Sequence, residues 1–408
     1  MRDPMIDFES ARVQIFYATP MPGTKTVSLA RCEGYVLAEK IATKEPVPSF
    51  DSSAVDGYAV RYEDIETIGK NKPVALNIVG EVRAGGTDDV KLGKNSAVKI
   101  FTGAPVPRQA TAVVMIEDTE ESNGVVFIKK SAKRGQHIRK KGKEFRKGQK
   151  IFSPGKYISP PVVAMLASSG VTKIKVYRKP RVSLLVTGDE LRPPSATLKP
   201  GEIRDSNSFA LKASLQSMGI DNIEVMRVKD TEADTRRSFL KALKTADVVI
   251  SVGGVSVGEY DLVKEILHKI GVRQIFWRVA IKPGKPNYFG VKGKKLIFGL
   301  PGNPVSALVS FYVLVRPALW KLMGRTDESS FIVKARLTDT ITKLPGRMEF
   351  VRGIVNRTES GELFVSPLKS RDSHMIGGMA AANCLIYFPK NCSVLESSSS
   401  VDVQVLVW

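Results

Sequence analysis

Residues 247–261 have the sequence Asp247-Val-Val-Ile-Ser-Val-Gly-Gly-Val-Ser-Val-Gly-Glu-Tyr-Asp261. The apolar run is typical of a buried strand, and it leads directly into a glycine-rich loop and then into an apolar-periodic helix at 260–269. Glycines let a backbone approach a phosphate closely, and the first N–H groups of a helix attract an anion. Ser256 adds a hydroxyl donor. The segment therefore predicts an anion-binding loop, although an ordinary strand-loop-helix turn shares these local features.

Two acidic residues accompany this loop. Glu259 and Asp261 would repel a bare phosphate. Acids beside a phosphate loop indicate a bound metal ion, because Mg²⁺ bridges carboxylate and phosphate oxygens. The alternative is that both acids face solvent on an unremarkable turn.

The segments on both sides of this loop alternate between strands and helices. Apolar runs predict strands at 182–186, 223–228, 248–252 and 295–300, and helical periodicity predicts helices at 207–218, 233–244, 260–269 and 304–323. This alternation is typical of a doubly wound α/β domain with a parallel sheet, which we assign to residues 181–324. Ligands in such sheets bind at the carboxyl ends of the strands.

The remaining sequence predicts further domains, so the fold class is multidomain α/β. Short β-branched runs at 74–79, 96–101, 112–116 and 125–128 predict an inserted β domain at 46–144. Helical patterns at 8–18, 29–41 and 159–168 predict an N-terminal helical or mixed domain formed by 1–45 and 145–180, and we expect these helices to pack together. Short strands at 331–337, 348–355, 363–365, 385–388 and 401–407 predict a small C-terminal β barrel at 325–408.

The composition is typical of a soluble globular protein. The chain has 408 residues, of which 43% are hydrophobic and 25% charged. Its longest apolar run, at 307–315, is shorter than a bilayer span, and the first ten residues lack the apolar core of a secretory signal. The three cysteines and three histidines show no zinc-site spacing. We therefore expect a cytoplasmic protein without a membrane segment.

The formal charge is +21, with 62 Lys and Arg residues. Such a charge attracts polyanions, but it attracts small phosphorylated ligands as well, so the charge alone does not distinguish the two. The basic residues are spread along the chain, with a local rise at 129–150. We expect no specific nucleic-acid partner.

Seven segments of the chain resemble one family in both content and order. They are Pro48-Ser-Phe-Asp-Ser-Ser-Ala-Val-Asp-Gly-Tyr-Ala-Val60, Thr102-Gly-Ala-Pro-Val-Pro107, Thr187-Gly-Asp-Glu-Leu191, Asp205-Ser-Asn207, Gly253-Gly-Val-Ser-Val-Gly258, Lys282-Pro-Gly-Lys-Pro286 and Leu300-Pro-Gly-Asn-Pro-Val-Ser306. The family is that of the molybdopterin molybdenumtransferases, or molybdenum insertases, which includes the E domain of gephyrin. The resemblance implies a homodimer with its active site between subunits. It also implies Mg²⁺-dependent insertion of molybdate into adenylylated molybdopterin with release of AMP, giving the molybdenum cofactor.

The resemblance implies a set of residues that bind the adenylylated molybdopterin. These are Thr187, Gly188, Gly253, Gly254, Ser256, Arg278, Pro301, Gly302, Asn303 and Ser306. Arg278 stands where lysine is common in relatives, which keeps the charge but changes the donor geometry. The segment 301–304 could also be simply a helix start with a proline in the first turn.

The resemblance also implies the catalytic and metal-binding acids. Glu190, Asp230 and Asp261 match family positions around the adenylate phosphates and would bind Mg²⁺, although acids after strands often simply face solvent. The partner subunit would supply Asp56, Thr102 and Glu144. Relatives more often have Gly-Glu-Asp where this chain has Gly142-Lys143-Glu144, so the role of Glu144 is less well supported.

A separate group of residues is implied for molybdate. Lys282 and Lys285 bracket a Pro-Gly turn, and two ammonium groups suit a dianion, although a lysine pair is more often a solvated surface. The family motif adds Pro286, Arg352 and Ser373, and the match at Ser373 is the loosest because the sequence after it departs from the family. Nothing in 282–286 distinguishes molybdate from tungstate.

Two other functions compete with this interpretation. A molybdopterin adenylyltransferase resembles the α/β domain, but such proteins are typically that single domain. A gephyrin-like binding scaffold is the other alternative, although this chain lacks a long linker rich in proline and serine. The adenylyltransferase is also a candidate partner, since it makes the substrate.

Overall fold

A mixed sheet forms the centre of the protein. The computed structural model describes residues 5–68, 72–254, 262–325, 331–369 and 372–406. In spatial order, the strands of this sheet are Ile223–Val228, Val182–Thr187, Val248–Val252, Lys295–Leu300, Pro286–Lys292 and Arg273–Arg278. The first four are parallel. The last two are antiparallel, with Arg273–Arg278 at the edge of the sheet, and the sequence analysis did not predict them.

Both faces of this sheet are covered by helices, which confirms the doubly wound architecture. Alternate residues of strand Val182–Thr187 enter different cores: Leu184 packs with Leu211 and Leu215, and Leu185 packs with Phe239. This alternation follows from the two-residue period of a strand. The helices are Asn207–Ser217, Glu232–Thr245 and Leu262–Lys269, followed by a continuous helical run of Pro304–Ser310, Phe311–Val315 and Arg316–Leu322, whose middle part is a π-helix.

The helical run Pro304–Leu322 is long and apolar enough to cross a membrane by length and composition. However, 89% of its apolar window is buried inside the protein. It contacts the central sheet and helix Phe8–Ala18. It is therefore a core helix.

Two predictions about the N-terminal region were wrong. Helix Phe8–Ala18 forms as predicted, but residues 29–41 contain only a 3₁₀ turn at Leu29–Arg31 before strand Ile41–Ala42. The reason is that backbone N–H groups here bond across the fold: Gly34 donates to the Ile158 carbonyl and Leu37 donates to that of Lys156. The first helix also packs on the Pro304–Leu322 run and not with helix Pro160–Ser168.

Three small ladders complete the region around the predicted insertion. Strand Thr24–Ser28 pairs with Lys173–Tyr177, Ile41–Ala42 pairs with Lys150–Phe152, and Ser52–Ser53 pairs with Ile138–Arg139. The inserted β domain has the strand order Ala112–Met115, Gly57–Val60, Ser96–Ile100, Val74–Val82, Val125–Ile128 and Thr119–Ser122. Short 3₁₀ turns lie at Tyr62–Asp64 and Ile116–Asp118.

The C-terminal strands close into a barrel, as predicted. Around the barrel, the strands are Met348–Arg357, Leu363–Pro367, Ile332–Leu337, Ser400–Val405 and Cys384–Phe388, and the last pairs again with the first. Strand Ile281–Lys282 of the α/β domain extends this sheet by pairing with Met348–Arg357. The remaining elements are the ladders Leu191–Arg192 with Ile203–Arg204 and Ile341–Thr342 with Val394–Leu395, and helix Ile376–Ala381.

Candidate active-site cleft

A cleft of about 1050 Å³ lies at the carboxyl ends of the parallel strands. Its floor combines the turn Thr187–Gly188, the pair Gly253–Gly254 and the turn at 301–304. These belong to separate segments of the chain, each of which follows a central strand. The structure therefore brings together these predicted substrate-binding segments at the edge where doubly wound sheets bind ligands.

The glycine pair is required by the backbone and by close packing. Gly253 has φ of 84°, and a Cβ atom there would lie 2.7 Å from the carbonyl oxygen of Thr187. Gly254 has φ of 67°, and its Cβ would lie 2.8 Å from a methyl group of Val263. Any side chain would therefore both strain the backbone and push apart two neighbouring turns. Ser256 and Asp261, which continue this loop, lie outside the described residues.

The turn at 301–304 is held from both sides. Asn207 Nδ2 donates to the Gly302 carbonyl at 2.7 Å, and Asn303 Nδ2 donates to Ser373 Oγ at 3.0 Å. Pro304 is also the first residue of a helix, so the helix-start interpretation of this motif is correct as well.

The sequence analysis quoted Asp205-Ser-Asn207 as a motif but gave these residues no role. The buried Asp205 carboxylate accepts hydrogen bonds from the backbone N–H and the hydroxyl of Ser208, at 3.0 and 2.5 Å. It thereby stabilises the start of helix Asn207–Ser217, whose first residue carries the side chain that bonds Gly302.

Two of the predicted metal-binding acids line the cleft. Glu190 and Asp230 are both in its wall, and the backbone N–H groups of Asp189 and Asp230 donate to each other's carboxylates, at 3.3 and 3.4 Å. Burial raises the pKa of Asp230, and the neighbouring charges of Asp189 and Glu190 raise it further. Within the described residues, no cluster of three His, Cys, Asp or Glu side chains is arranged to hold a metal ion.

Lys282 and Lys285 are exposed on a tight turn beside the cleft. Gly284 between them has φ of 99°, and a Cβ atom there would lie 2.6 Å from Ser310 Oγ, so the turn is fixed against the core helix. Lys282 Nζ lies 3.3 Å from the buried Glu349 carboxylate. Pro286 lines the cleft, whereas the lysines themselves do not.

Arg352 is buried and orders the segment that carries Ser373. Its guanidinium donates to the carbonyls of Asp372 and Met375, at 3.3 and 3.2 Å. Burial lowers the pKa of Arg352, and the nearby Asp372 charge opposes that shift. Through this segment, His374 and Ile376 reach the cleft wall. The sequence analysis did not identify His374 as a cleft residue.

Two predicted substrate-binding residues do not line the cleft. Ser306 is buried inside the core helix. Arg278 is half-buried in an edge strand, and its Nε atom is buried without a hydrogen-bond partner among the described residues.

The three predicted residues of the β domain lie outside the cleft, and the structure brings two of them, Asp56 and Thr102, together. Asp56 Oδ1 accepts hydrogen bonds from the backbone N–H and the hydroxyl of Thr102, at 2.7 and 2.8 Å, and these bonds lower the pKa of Asp56. Glu144 is exposed on the loop that follows strand Ile138–Arg139. None of these three residues lines the cleft of its own chain.

Family models match most of the chain. They describe a "MoeA N-terminal region (domain I and II)" at residues 6–170, a "probable molybdopterin binding domain" at 183–321 and a "MoeA C-terminal region (domain IV)" at 334–406.

Similar proteins extend over nearly the full length. A molybdopterin molybdenumtransferase of Haemophilus influenzae is 35% identical over 403 residues, covering 98% of each chain. One from Nostoc is 35% identical over 93% of this chain and 88% of the relative. A crystal structure of a molybdopterin biosynthesis MoeA protein from Pyrococcus horikoshii is similar with a TM-score of 0.80 and 32% identity, over 99% of this chain and 100% of that one.

Proposed function

Because the chain belongs to the molybdopterin molybdenumtransferase family, an enzyme family of molybdenum cofactor biosynthesis, we propose that it inserts molybdate into adenylylated molybdopterin with release of AMP. The observation that carries this proposal is the cleft in which glycine turns and carboxylates converge at the strand ends. The turns present backbone groups suited to a pyrophosphate, and the carboxylates suit a divalent cation. The relatives match all of this chain's domains, which favours the transferase over a single-domain adenylyltransferase.

The turns at 187–188, 253–254 and 301–304 would bind the pyrophosphate and the pterin. Contacts within the chain support these turns, because Gly253 packs on Thr187 and Asn207 donates a hydrogen bond to Gly302. A preformed cradle avoids the free-energy cost of ordering a loop on binding. Val252, Leu262 and Val263 are among the apolar residues of the wall.

The acids of the cleft fit Mg²⁺. Burial raises the pKa of Asp230, and the charges of Asp189 and Glu190 raise it further, so a bound cation would relieve a repulsion between these carboxylates. Glu190 and Asp230 would hold the ion, together with Asp261 from outside the described residues. A bound Mg²⁺ would withdraw charge from the phosphoanhydride. The cleft residues themselves would orient the anhydride and hold the acids in place.

Molybdate would be held beside the cleft by Lys282 and Lys285, with Pro286 shaping the turn. Arg352 contributes by fixing the segment 372–375, which places Ser373 in contact with Asn303. Asn303 lies on the pyrophosphate side. The proposed oxyanion and nucleotide sites are thus neighbours, as a transfer between them requires.

We further propose a homodimer in which the Asp56 and Thr102 pair of one subunit completes the cleft of the other. The pair is exposed and already ordered by its mutual hydrogen bonds, and it lies away from the cleft of its own chain.

A complementation experiment tests this. Asp56→Ala and Glu190→Ala should each be inactive, but refolding them together should restore about a quarter of the wild-type activity, because half the dimers would then contain one intact site. No recovery would exclude a shared site.

The enzyme would act in the cytoplasm and receive its substrate from the molybdopterin adenylyltransferase. The direct test of function is to incubate purified protein with adenylylated molybdopterin, molybdate and Mg²⁺. We expect AMP release that depends on Mg²⁺ and the formation of active molybdenum cofactor. Glu33→Gln, at an exposed acid on another part of the chain, is the matched control and should retain full activity. Absence of both products from the wild-type protein would contradict the proposal.

A further inference from the structure

Glu349 is a buried carboxylate next to a lysine of the proposed oxyanion site. Only 3% of the residue is exposed, whereas 46% of the Lys282 side chain is exposed. Lys282 Nζ lies 3.3 Å from one carboxylate oxygen of Glu349 and 3.4 Å from the other. The backbone fixes this pair, because Lys282 stands directly opposite Glu349 in the parallel pairing of strands Ile281–Lys282 and Met348–Arg357.

The contact turns Lys282 away from Arg352. Glu349 and Arg352 are three positions apart in a strand whose pairing with Cys384–Phe388 has no register shift, so their side chains point to opposite faces. The Arg352 guanidinium contacts the segment 372–375 beside the cleft, while the Lys282 ammonium is held on the other face by Glu349. Of the three cations assigned to the molybdate site, Lys282 and Arg352 are thus not directed to the same face.

Lys282 is the principal counter-charge of Glu349 among the described residues. Lys343 lies nearby, but its ammonium donates to the carbonyl of Arg347 at 2.8 Å. A buried carboxylate without a cation is strongly disfavoured. Lys282 therefore leaves Glu349 only when another interaction compensates, and an oxyanion that recruits Lys282 must compete with this carboxylate.

We propose that Glu349 is a positioning residue that holds the Lys282 ammonium when no oxyanion is bound, and that it thereby weakens oxyanion binding and favours release. This inference rests on the proposed function, because it takes Lys282 as a molybdate ligand. The substitution Glu349→Gln keeps the shape of the side chain and removes its charge. Lys282 would then be available to the dianion, and a nearby repulsive charge would be gone.

The test is calorimetric titration of the full-length protein with sodium molybdate. We expect Glu349→Gln to bind molybdate about tenfold more tightly than wild type, which corresponds to ~1.4 kcal/mol. Lys282→Met should bind more weakly, and adding Glu349→Gln to Lys282→Met should change the affinity by less than it does in wild type. Glu362→Gln is the matched control, since Glu362 is an exposed barrel acid paired with Arg336 at 3.8 Å, and it should leave the affinity unchanged.

The possible outcomes separate this inference from the proposed function. Tighter binding by Glu349→Gln supports it, including the case in which only the variant binds. Equal or weaker binding by a folded variant overturns it and leaves molybdate binding by the wild type standing. If neither protein binds molybdate, the proposed oxyanion site fails, and the role of Glu349 fails with it. Should Glu349→Gln not fold, Glu349→Asp is the second variant: its shorter side chain draws the carboxylate away from Lys282 and weakens the pair, so it should also bind molybdate more tightly. An affinity no higher than that of wild type would overturn the inference.

Discussion

Replacing Gly253 by alanine tests whether the cleft depends on the close approach of two turns. Gly253 has φ of 84°, a conformation that costs a non-glycine residue about 1–2 kcal/mol. The new Cβ would lie 2.7 Å from the Thr187 carbonyl oxygen and 2.9 Å from its Oγ1 atom. Relief of such overlap by backbone movement typically costs a further ~1–3 kcal/mol. We therefore expect Gly253→Ala to lower the free energy of unfolding by about 2–5 kcal/mol.

The matched control is Gly293→Ala. Gly293 has φ of 59°, and no heavy atom of the described residues lies within 4 Å of a Cβ atom at that position. This variant has the backbone strain without the overlap, so it should lose about 1–2 kcal/mol. The difference between the two variants in urea-induced unfolding measures the cost of separating Gly253 from Thr187.

Activity provides a second measurement. If the overlap displaces either turn by a large fraction of an ångström, turnover should fall by about 10²-fold, because misplacement of about 1 Å has effects of that size. Gly293→Ala should retain wild-type AMP release. Equal unfolding free energies for the two variants, or a fully active Gly253→Ala protein, would refute the argument that this contact shapes the cleft.

Three further predictions concern charge and packing. Because the pKa of Asp230 is raised, the folded state binds its proton more tightly than the unfolded state, and the ionised carboxylate lowers stability above the raised pKa. Asp230→Asn should thus raise the free energy of unfolding at pH 7 by a few tenths of a kcal/mol. Urea titrations should show this gain shrinking as the pH falls through the raised pKa and absent below the ordinary value of 3.8. Asn303→Ala removes the hydrogen bond to Ser373 and should lower the free energy of unfolding by about 0.5–1.5 kcal/mol. It should also weaken molybdate binding in calorimetry. An unchanged affinity would show that this bond does not link the proposed oxyanion and nucleotide sites. Phe8→Ala should cost about 3–5 kcal/mol, since the buried ring packs edge-on against Phe350 at 5.1 Å, whereas Val13→Ala on the exposed side of the same helix should change thermal stability little.

The central strands were predictable because they are buried on both faces. Strands Val248–Val252 and Lys295–Leu300 occupy the predicted residues and are buried almost throughout. Strand Ile223–Val228 also occupies the predicted residues, but it is a partly exposed edge strand of the sheet. Continuous apolar runs are the sequence signature of parallel strands between two helical layers. The antiparallel strands Arg273–Arg278 and Pro286–Lys292 were not predicted, since residues 282–286 gave the stronger signal of a turn in this region.

Local periodicity failed where tertiary hydrogen bonds replaced helical ones. Residues 29–41 have a helical pattern, yet Gly34 and Leu37 donate their N–H groups to a distant segment at 156–158. Helix propensity is a weak preference, of less than about 1 kcal/mol per residue, and such contacts override it. The predicted helix could be corrected only by knowing which segment lies beside it.

In the cleft, too, features set by local sequence could be predicted and those set by tertiary contacts could not. The turns at 187–188 and 253–254 could be located from the sequence because only glycine tolerates their backbone angles and close contacts. The partner of Lys282 could not, because it depends on the register between strand Ile281–Lys282 and a barrel strand more than sixty residues later. A shift of that register by one residue would turn Glu349 to the opposite face and place Met348 or Phe350 beside Lys282. The charge balance of the proposed oxyanion site therefore depends on how the barrel packs on the α/β domain. Substitutions that alter this packing should alter oxyanion affinity, even when they change no residue that contacts the ligand.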